Sequence, residues 1–166
     1  MGVPQVFSPK LIEHFVTVGG LGRLPKAPGT FGTLAGIPLA YGLSLAGPIF
    51  YLAATIVILI LAIFACEIHE RQTAKHDAQH IVIDEVVGYL IAFAWLPLTW
   101  QSLLAAFVVF RFFDILKPYP ISVLDARVKG GLGVMIDDVA AGLAANIILQ
   151  ALASRSDLLG GYGVFR

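Results

Sequence analysis

The order of apolar and polar positions along the 166-residue chain predicts several short membrane helices joined in hairpins. No Asp, Glu, Lys or Arg occurs at 30–66, a run long enough to cross a hydrocarbon layer of about 30 Å more than once if it folds back. A second uncharged run, 86–110, is interrupted by Leu-Pro-Leu-Thr at 96–99, and a third, 139–154, is about one span long. We therefore predict turns at Pro48 and at 96–99.

These patterns predict an all-α fold, a compact multi-pass membrane helical bundle with short helical hairpins. Residues 1–18 have apolar positions at helical spacing and are predicted to form a short amphipathic helix along the lipid headgroups. The Gly- and Pro-rich stretch 19–33 is predicted to be a loop. Some helices are short enough to rise only about 21 Å, less than a full bilayer core. The predicted helices are at about 33–46, 49–72, 82–96, 100–116, 120–128 and 134–154.

Composition and the placement of charge support a membrane protein. The chain is 58% hydrophobic and 13% charged, with a mean hydropathy of +0.84, which is too apolar for an ordinary soluble domain of this size. The alternative is a soluble helical domain whose core segments are long. Charge placement opposes it, because uncharged hairpin tips put the charged segments 1–26, 67–85 and 111–138 on one side of the bilayer. Basic residues beside short spans usually mark the cytoplasm, so this charged face is predicted to be cytosolic.

Several classes of protein are excluded or disfavoured by the same composition. The single cysteine, Cys66, excludes an intrachain disulfide, and no Cys/His pattern has the spacing of a zinc site. A net charge of zero gives no support to nucleic-acid binding. We see no removable signal peptide, and because no polar linker divides the chain we expect residues 1–166 to form one domain.

Carboxylates are delivered to the charged face by three separate segments. Asp84 and Glu85 are predicted to begin one helix, Asp114 to end another, and Asp137 and Asp138 to begin a third. Five clustered negative charges cannot all stay ionised without compensation, and hard carboxylate oxygens suit Mg²⁺. The alternative for any one acid is a helix cap or a solvated end charge, which explains poorly why two of the positions are doubled.

Basic residues near these acids are candidates for binding phosphate. Arg111, Asp114 and Lys117 are three apart and are predicted to share one helix stripe, offering a metal ligand between two phosphate donors or a structural Arg–Asp ion pair. The segment LPKAPGTFGT adds Lys26 and the hydroxyl of Thr30 before a helix whose first amides can bind phosphate. The same segment could equally be a common turn, and it lacks the Walker order.

A histidine lies on the segment that leads into the acidic helix. His76 stands beside Asp77 and close to His80, and a histidine beside carboxylates can act as a proton carrier. The alternative is a hydrogen-bonded loop residue, and the spacing does not choose between them.

Five blocks of sequence occur in a fixed order: APGTFGT at 27–33, His-Asp at 76–77, IVIDEVVG at 81–88, FRFFDILKPYPI at 110–121 and GGLGVMIDDVAAG at 130–142. In that order they resemble the phosphatidylglycerophosphatase A family of bacterial membrane phosphatases. The likeness extends from about residue 20 to 150 without departure in these blocks. The resemblance implies a Mg²⁺-dependent enzyme that removes the terminal phosphate of phosphatidylglycerophosphate to give phosphatidylglycerol and inorganic phosphate. Together with the charge placement, it predicts a protein of the inner membrane with its site facing the cytoplasm.

Roles for individual residues follow from the resemblance together with the reading above. The expected metal ligands are Asp84, Glu85, Asp114, Asp137 and Asp138, with Asp84, Glu85 and Asp138 also taken as catalytic, and Lys26, Thr30, Arg111 and Lys117 are expected to bind the substrate phosphate. Glu85 is preferred as the base that accepts a proton from water, and a phospho-aspartate route stays open. The expected partners are phosphatidylglycerophosphate and membrane lipids, with no obligatory protein partner.

Two other classes of function compete with this interpretation. An ion-coupled transporter would use the acids as a cation site, but it needs ionisable groups near the middle of the bilayer, and both hairpins are uncharged through their depth. A membrane scaffold without chemistry would tolerate replacement of the acids by amides.

Overall fold

A computed structural model describes residues 8–73, 78–155 and 157–160, and within these ranges the protein is helical and contains no strand. The helices are α1 (Pro9–Val16), α2 (Pro28–Leu45), α3 (Pro48–Thr73), α4 (Ile83–Phe93), α5 (Trp100–Leu116), α6 (Ile121–Arg127) and α7 (Gly130–Arg155). Short 3₁₀ turns occupy Leu21–Arg23 and Asp157–Leu159. The prediction of an all-α membrane bundle with helical hairpins is confirmed.

The turns occur where the apolar pattern is interrupted. Gly47, at a φ of +95°, separates α2 from α3, and the segment around Pro97 separates α4 from α5. The predicted loop at 19–33 is wrong in its second half, because α2 already begins at Pro28, where a proline suits the first helical position. The predicted start of α7 at 134 is also too late, since the helix begins at Gly130.

α4 is the central helix of the bundle and is almost entirely buried. It packs most extensively against α7 and α2, and its side chains Tyr89, Leu90 and Phe93 are among the most buried of the protein. A Cβ on Gly142 of α7 would overlap the carbonyl group of Gly88, so the two backbones touch at this point. Small residues permit such close helix packing, which is the usual way that helices associate in membranes.

Side chains of α7 satisfy the carbonyl end of α4. The Asn146 amide donates to the carbonyl oxygens of Ala92 and Ala94, at 3.0 and 2.8 Å, and the Gln150 amide donates to Ala94 at 2.9 Å. The last carbonyls of any helix lack partners within the helix, and in apolar surroundings they must find other donors. An eleven-residue helix can therefore end inside the bundle.

The outer surface of the bundle is apolar along its long helices. α3 and α7 are each 26 residues long, and each contains an 18-residue stretch apolar enough to cross a membrane, with mean hydropathies of 2.9 and 1.7. Large apolar side chains point outward from them, among them Ile49, Phe64 and Ile147 at 85%, 63% and 69% exposure. Such a surface suits lipid rather than water, which agrees with the prediction of a membrane protein.

Candidate active site

One end of the bundle contains a cavity of about 470 Å³. Its walls come from the first turn of α2, the start of α4, the end of α5, the first turns of α7 and the segment 78–81. The charged side chains that line it are Asp84, Glu85, Asp114, Lys117, Asp137 and Asp138. The fold thus brings together all five predicted acids, from the three segments that carry them in the sequence.

Three of the acids form a compact group. Asp84, Glu85 and Asp138 each offer one carboxylate oxygen, and these oxygens lie within 4.8 Å of one another. Asp84 and Asp138 are 8% and 3% exposed. One oxygen each of Glu85 and Asp138 is buried and accepts no hydrogen bond from the described residues. Buried carboxylate oxygens without donors require compensation, and their chemistry and spacing fit a divalent cation with hard oxygen ligands.

The other two acids pair with bases. Asp114 forms an ion pair with Arg111 one turn earlier on α5, and the Arg111 guanidinium also lies 3.8 Å from a Glu85 carboxylate oxygen. Asp137 forms an ion pair with Lys117, with 2.7 Å between the ammonium nitrogen and the carboxylate oxygen. Two of the acids at the cavity therefore have basic partners close by, in contrast to the group of three.

Lys117 does not lie on the predicted helix stripe. α5 ends at Leu116, and Lys117 follows it in the left-handed conformation with a φ of +40°, before Pro118. The predicted stripe is therefore wrong for Lys117, although the Arg111–Asp114 pair has the expected spacing of three. The left-handed residue turns the lysine away from the helix course and toward α7.

The acids also differ from the predictions in their helix positions. Asp84 lies in the first turn of α4 as predicted, but it does not cap that helix, because the capping position is Val82. Asp137 and Asp138 were predicted to begin α7 and instead lie about two turns inside it. Burial in the helix body removes the interpretation of Asp137 as a solvated end charge.

The first turn of α7 is helical because of its packing against α3. A Cβ on Gly131 would overlap the Ile63 carbonyl, so the glycine is required for close approach and is not a helix end. Its backbone N–H donates to a Glu67 carboxylate oxygen at 2.8 Å, which caps the start of the helix. This packing adds about one turn to the predicted helix.

The start of α2 lies directly against the acids. A Cβ on Gly29 would overlap the Glu85 carboxylate and lie 3.1 Å from the Arg111 guanidinium. Two other predicted phosphate ligands are close in sequence but do not line the cavity: Lys26 is exposed and has no ion pair with any described residue, and Thr30 is half-buried. His76 lies outside the described residues.

Sequence reasoning missed residues of the segment that precedes α4. Ala78, Gln79 and Ile81 line the cavity together with the acids. Their signal in the sequence was weak, since a polar loop before an acidic helix has many possible courses. Gly29 lies in the segment LPKAPGTFGT, but its close approach to Glu85 becomes visible only in the tertiary structure.

Fold and cavity together define a membrane helical bundle with an acidic, cation-fitting site and adjacent bases, a set of groups suited to phosphoryl chemistry. A family model described as Phosphatidylglycerophosphatase A matches residues 14–153. The chain belongs to the phosphatidylglycerophosphatase A family.

Three curated relatives cover most of the chain. A Phosphatidylglycerophosphatase A of Haemophilus influenzae is 44% identical over 142 residues, 84% of this chain and 87% of the relative. One of Escherichia coli is 38% identical over 138 residues, 82% and 80% of the two chains. A Putative phosphatidylinositol-3-phosphatase of Bacteroides thetaiotaomicron is 35% identical over 155 residues, 85% and 93%. No solved structure matches the chain.

Proposed function

We propose that this protein hydrolyses the terminal phosphate monoester of phosphatidylglycerophosphate to give phosphatidylglycerol and inorganic phosphate. Family membership and the names of two relatives support this substrate. The observation that carries the proposal is the convergence of five carboxylates and a lysine from α4, α5 and α7 on one cavity, with an arginine beside them. Groups of both signs are needed where a phosphate is bound and a water is activated.

The position of the cavity suits a lipid substrate. The cavity is at the end of helices whose sides are apolar, so acyl chains can remain in the hydrocarbon while the headgroup enters the site. We place residues 1–166 in the inner membrane as one domain, with the cavity facing the cytoplasm. Most basic residues occur in the charged segments 1–26, 67–85 and 111–138, which the uncharged hairpin tips place on one side of the bilayer, and this supports that orientation.

Mg²⁺ is the proposed cofactor. Asp84, Glu85 and Asp138 would hold it, and we assign Asp114 and Asp137, which line the same cavity, as its further ligands or as ligands of a second ion. Bound there, Mg²⁺ supplies charge that polarises the phosphoryl oxygens and lowers the pKa of a water.

The bases bind and orient the phosphate. Lys117 and Arg111 lie beside the acids, and we assign them to the phosphoryl oxygens, where their charge also stabilises the transition state. Lys26 and Thr30 belong to the start of α2 and are assigned to the entering headgroup. Because neither residue lines the cavity, we assign them to initial binding of the substrate and not to the reaction step.

Glu85 is the proposed general base. Each acid of the group would hold the ion through one carboxylate oxygen, and we assign the other oxygen of Glu85 to accept the proton. No described residue donates a hydrogen bond to Oε2 of Glu85. The water oxygen bonds to phosphorus as the bond from phosphorus to the glycerol oxygen breaks, and that oxygen then takes up a proton. Attack by an aspartate is the alternative. A single turnover in ¹⁸O water can reveal the aspartate route, because label found in a protein carboxylate rejects direct attack by water. Label in phosphate alone is expected from direct attack and also from attack by water on the phosphorus of a phospho-aspartate.

The test is phosphate release by the purified protein from phosphatidylglycerophosphate, with Mg²⁺ and with a chelator. We expect turnover only with the metal and much slower release from soluble phosphomonoesters such as glycerol 3-phosphate. Phosphatidylinositol 3-phosphate, suggested by the name of one relative, is the matched lipid comparison. Equal rates on soluble and lipid substrates, or release unaffected by chelation, would contradict the proposal.

A further inference from the structure

A pair of histidines lies behind the segment that forms one wall of the cavity. The Nε2 atoms of His69 on α3 and His80 are 3.3 Å apart, and the rings meet edge to face with centroids 5.2 Å apart. His69 is only 2% exposed. None of the roles proposed for the reaction uses either ring.

The contact with His80 gives the buried ring of His69 a hydrogen-bond partner at its Nε2 atom. Its other nitrogen, Nδ1, is buried and has no hydrogen-bond partner among the described residues. Two neutral imidazoles form a hydrogen bond when one Nε2 carries the proton and the other accepts it. Removal of His80 would leave the His69 ring buried with neither nitrogen satisfied, which is costly.

His80 belongs to a segment, residues 78–82, that has two different faces. Ala78, Gln79 and Ile81 line the cavity beside the acids, whereas His80 meets α3. The Val82 N–H donates to the Val16 carbonyl at 3.0 Å, so the end of the segment is fixed to α1. The histidine pair fixes its middle.

The 3₁₀ turn Leu21–Arg23 confines the segment further. A Cβ on Gly22 would overlap the His80 carbonyl, so the backbone of this turn lies directly against His80. The segment is therefore held between the turn and α3, and a displaced His80 side chain would shift the backbone that carries Gln79.

We propose that His69 and His80 are positioning residues, whose hydrogen bond holds segment 78–82 as a wall of the cavity and places Gln79 at its mouth. The effect on turnover rests on the proposed function, whereas the effect on the segment itself does not. Because the acids are carried by helices packed on one another, loss of the pair should disturb headgroup binding more than the reaction step.

The kinetic test uses His80→Leu, His80→Gln and His69→Leu, with His14→Leu as control for an exposed histidine on α1. We expect His80→Leu to raise KM for phosphatidylglycerophosphate about tenfold with kcat within about twofold. His80→Gln keeps a hydrogen-bonding group near Nε2 and should bring KM back to within about threefold of wild type. The double variant His69→Leu/His80→Leu should be no worse than the more impaired single variant, since both remove one interaction.

Hydrogen–deuterium exchange of the same detergent-solubilised variants tests the segment without turnover. We expect faster exchange at 78–82 in His80→Leu and unchanged exchange in α4 and α7 and in the His14 control. Unchanged exchange at 78–82, additive KM effects, or faster exchange throughout the bundle would each overturn the proposal. If the wild type fails to release phosphate, the proposed function fails, and the exchange result still decides the role of the pair.

Discussion

The ammonium group of Lys117 lies 2.7 Å from the carboxylate of Asp137 and joins the end of α5 to the body of α7. The contact depends on the left-handed backbone of Lys117, because a helical residue there would continue along α5. A lysine is an unusual choice at a φ of +40°, where glycine is favoured. The side chain is therefore retained for its charge at the cavity rather than for its backbone preference.

Lys117→Gly separates the two properties of this position. Glycine suits the positive φ, which offsets part of the cost of leaving the buried Asp137 carboxylate without its ion pair. We therefore expect a folded protein with kcat reduced about 10²-fold by loss of the phosphate donor. Phosphate release and thermal unfolding in detergent measure the two effects. The control is Lys10→Ala, which removes an exposed lysine far from the acids in sequence. Alanine is used there because Lys10 lies in helix α1, which glycine would destabilise. Normal kcat in Lys117→Gly would remove the lysine from the reaction step.

Lys26→Ala should behave differently from Lys117→Gly. Lys26 is exposed and does not line the cavity, so we expect it to contribute to capture of the headgroup and mainly to raise KM. Steady-state kinetics on phosphatidylglycerophosphate in mixed micelles measure the split. An equal fall in kcat would instead place Lys26 at the transition state.

Asp138→Asn should abolish phosphate release and leave the protein folded. The carboxylate is 3% exposed and belongs to the three-acid group, and an amide of the same shape cannot replace its charge. We expect a loss of at least about 10³-fold in kcat, with normal elution from size-exclusion chromatography. Glu13→Gln, an acid outside the cavity, is the control and should be fully active. Wild-type turnover by Asp138→Asn would remove the metal-site argument.

Gly29→Ala should damage the site from the side of α2. The added methyl group would overlap the Glu85 carboxylate, so either the acid or the helix must move, and we expect at least tenfold slower phosphate release. Gly42→Ala on the same helix is the matched control, because a Cβ there has open space. That change should stabilise the helix by about 0.5–1 kcal/mol and keep activity. Similar activities for the two variants would contradict the close approach of α2.

Mg²⁺ should stabilise the folded protein if it binds the three-acid group. At about 100 times its dissociation constant, a ligand specific for the folded state adds about 2.7 kcal/mol to the free energy of unfolding. Tryptophan fluorescence during heating, with and without Mg²⁺, measures the shift in Tm. We expect the shift to disappear in Asp84→Asn and to persist in Glu13→Gln. A shift of equal size in both variants would place the ion elsewhere.

The hairpins and the convergence of the acids could be predicted because they follow from topology. Uncharged tips around Pro48 and Pro97 fix which ends of the helices meet, and the doublets at 84–85 and 137–138 must then share an end with Asp114. The division of the acids into a group of three and two ion pairs could not be predicted. It depends on side-chain directions and on the left-handed residue at the end of α5.

The starts of α2 and α7 were predicted too late, and both first turns contain a glycine that packs closely against a neighbouring element. Gly29 and Gly131 resemble helix breakers in a single sequence, yet each lies inside a helix. Glycine is needed at both positions because a neighbouring group occupies the space that a Cβ would fill. Asn146 and Gln150 gave a signal that was available and not used. An amide inside an apolar run needs a partner, and here the partner is the end of α4.

The amide-capped end of α4 has a consequence for water inside the protein. With their hydrogen bonds supplied by Asn146 and Gln150, the carbonyls of Ala92 and Ala94 need no water. Water that entered from the cavity would therefore find no unsatisfied carbonyl group at the far end of α4. We therefore expect no bound water at this end of α4, although the first turn of the same helix borders a polar cavity.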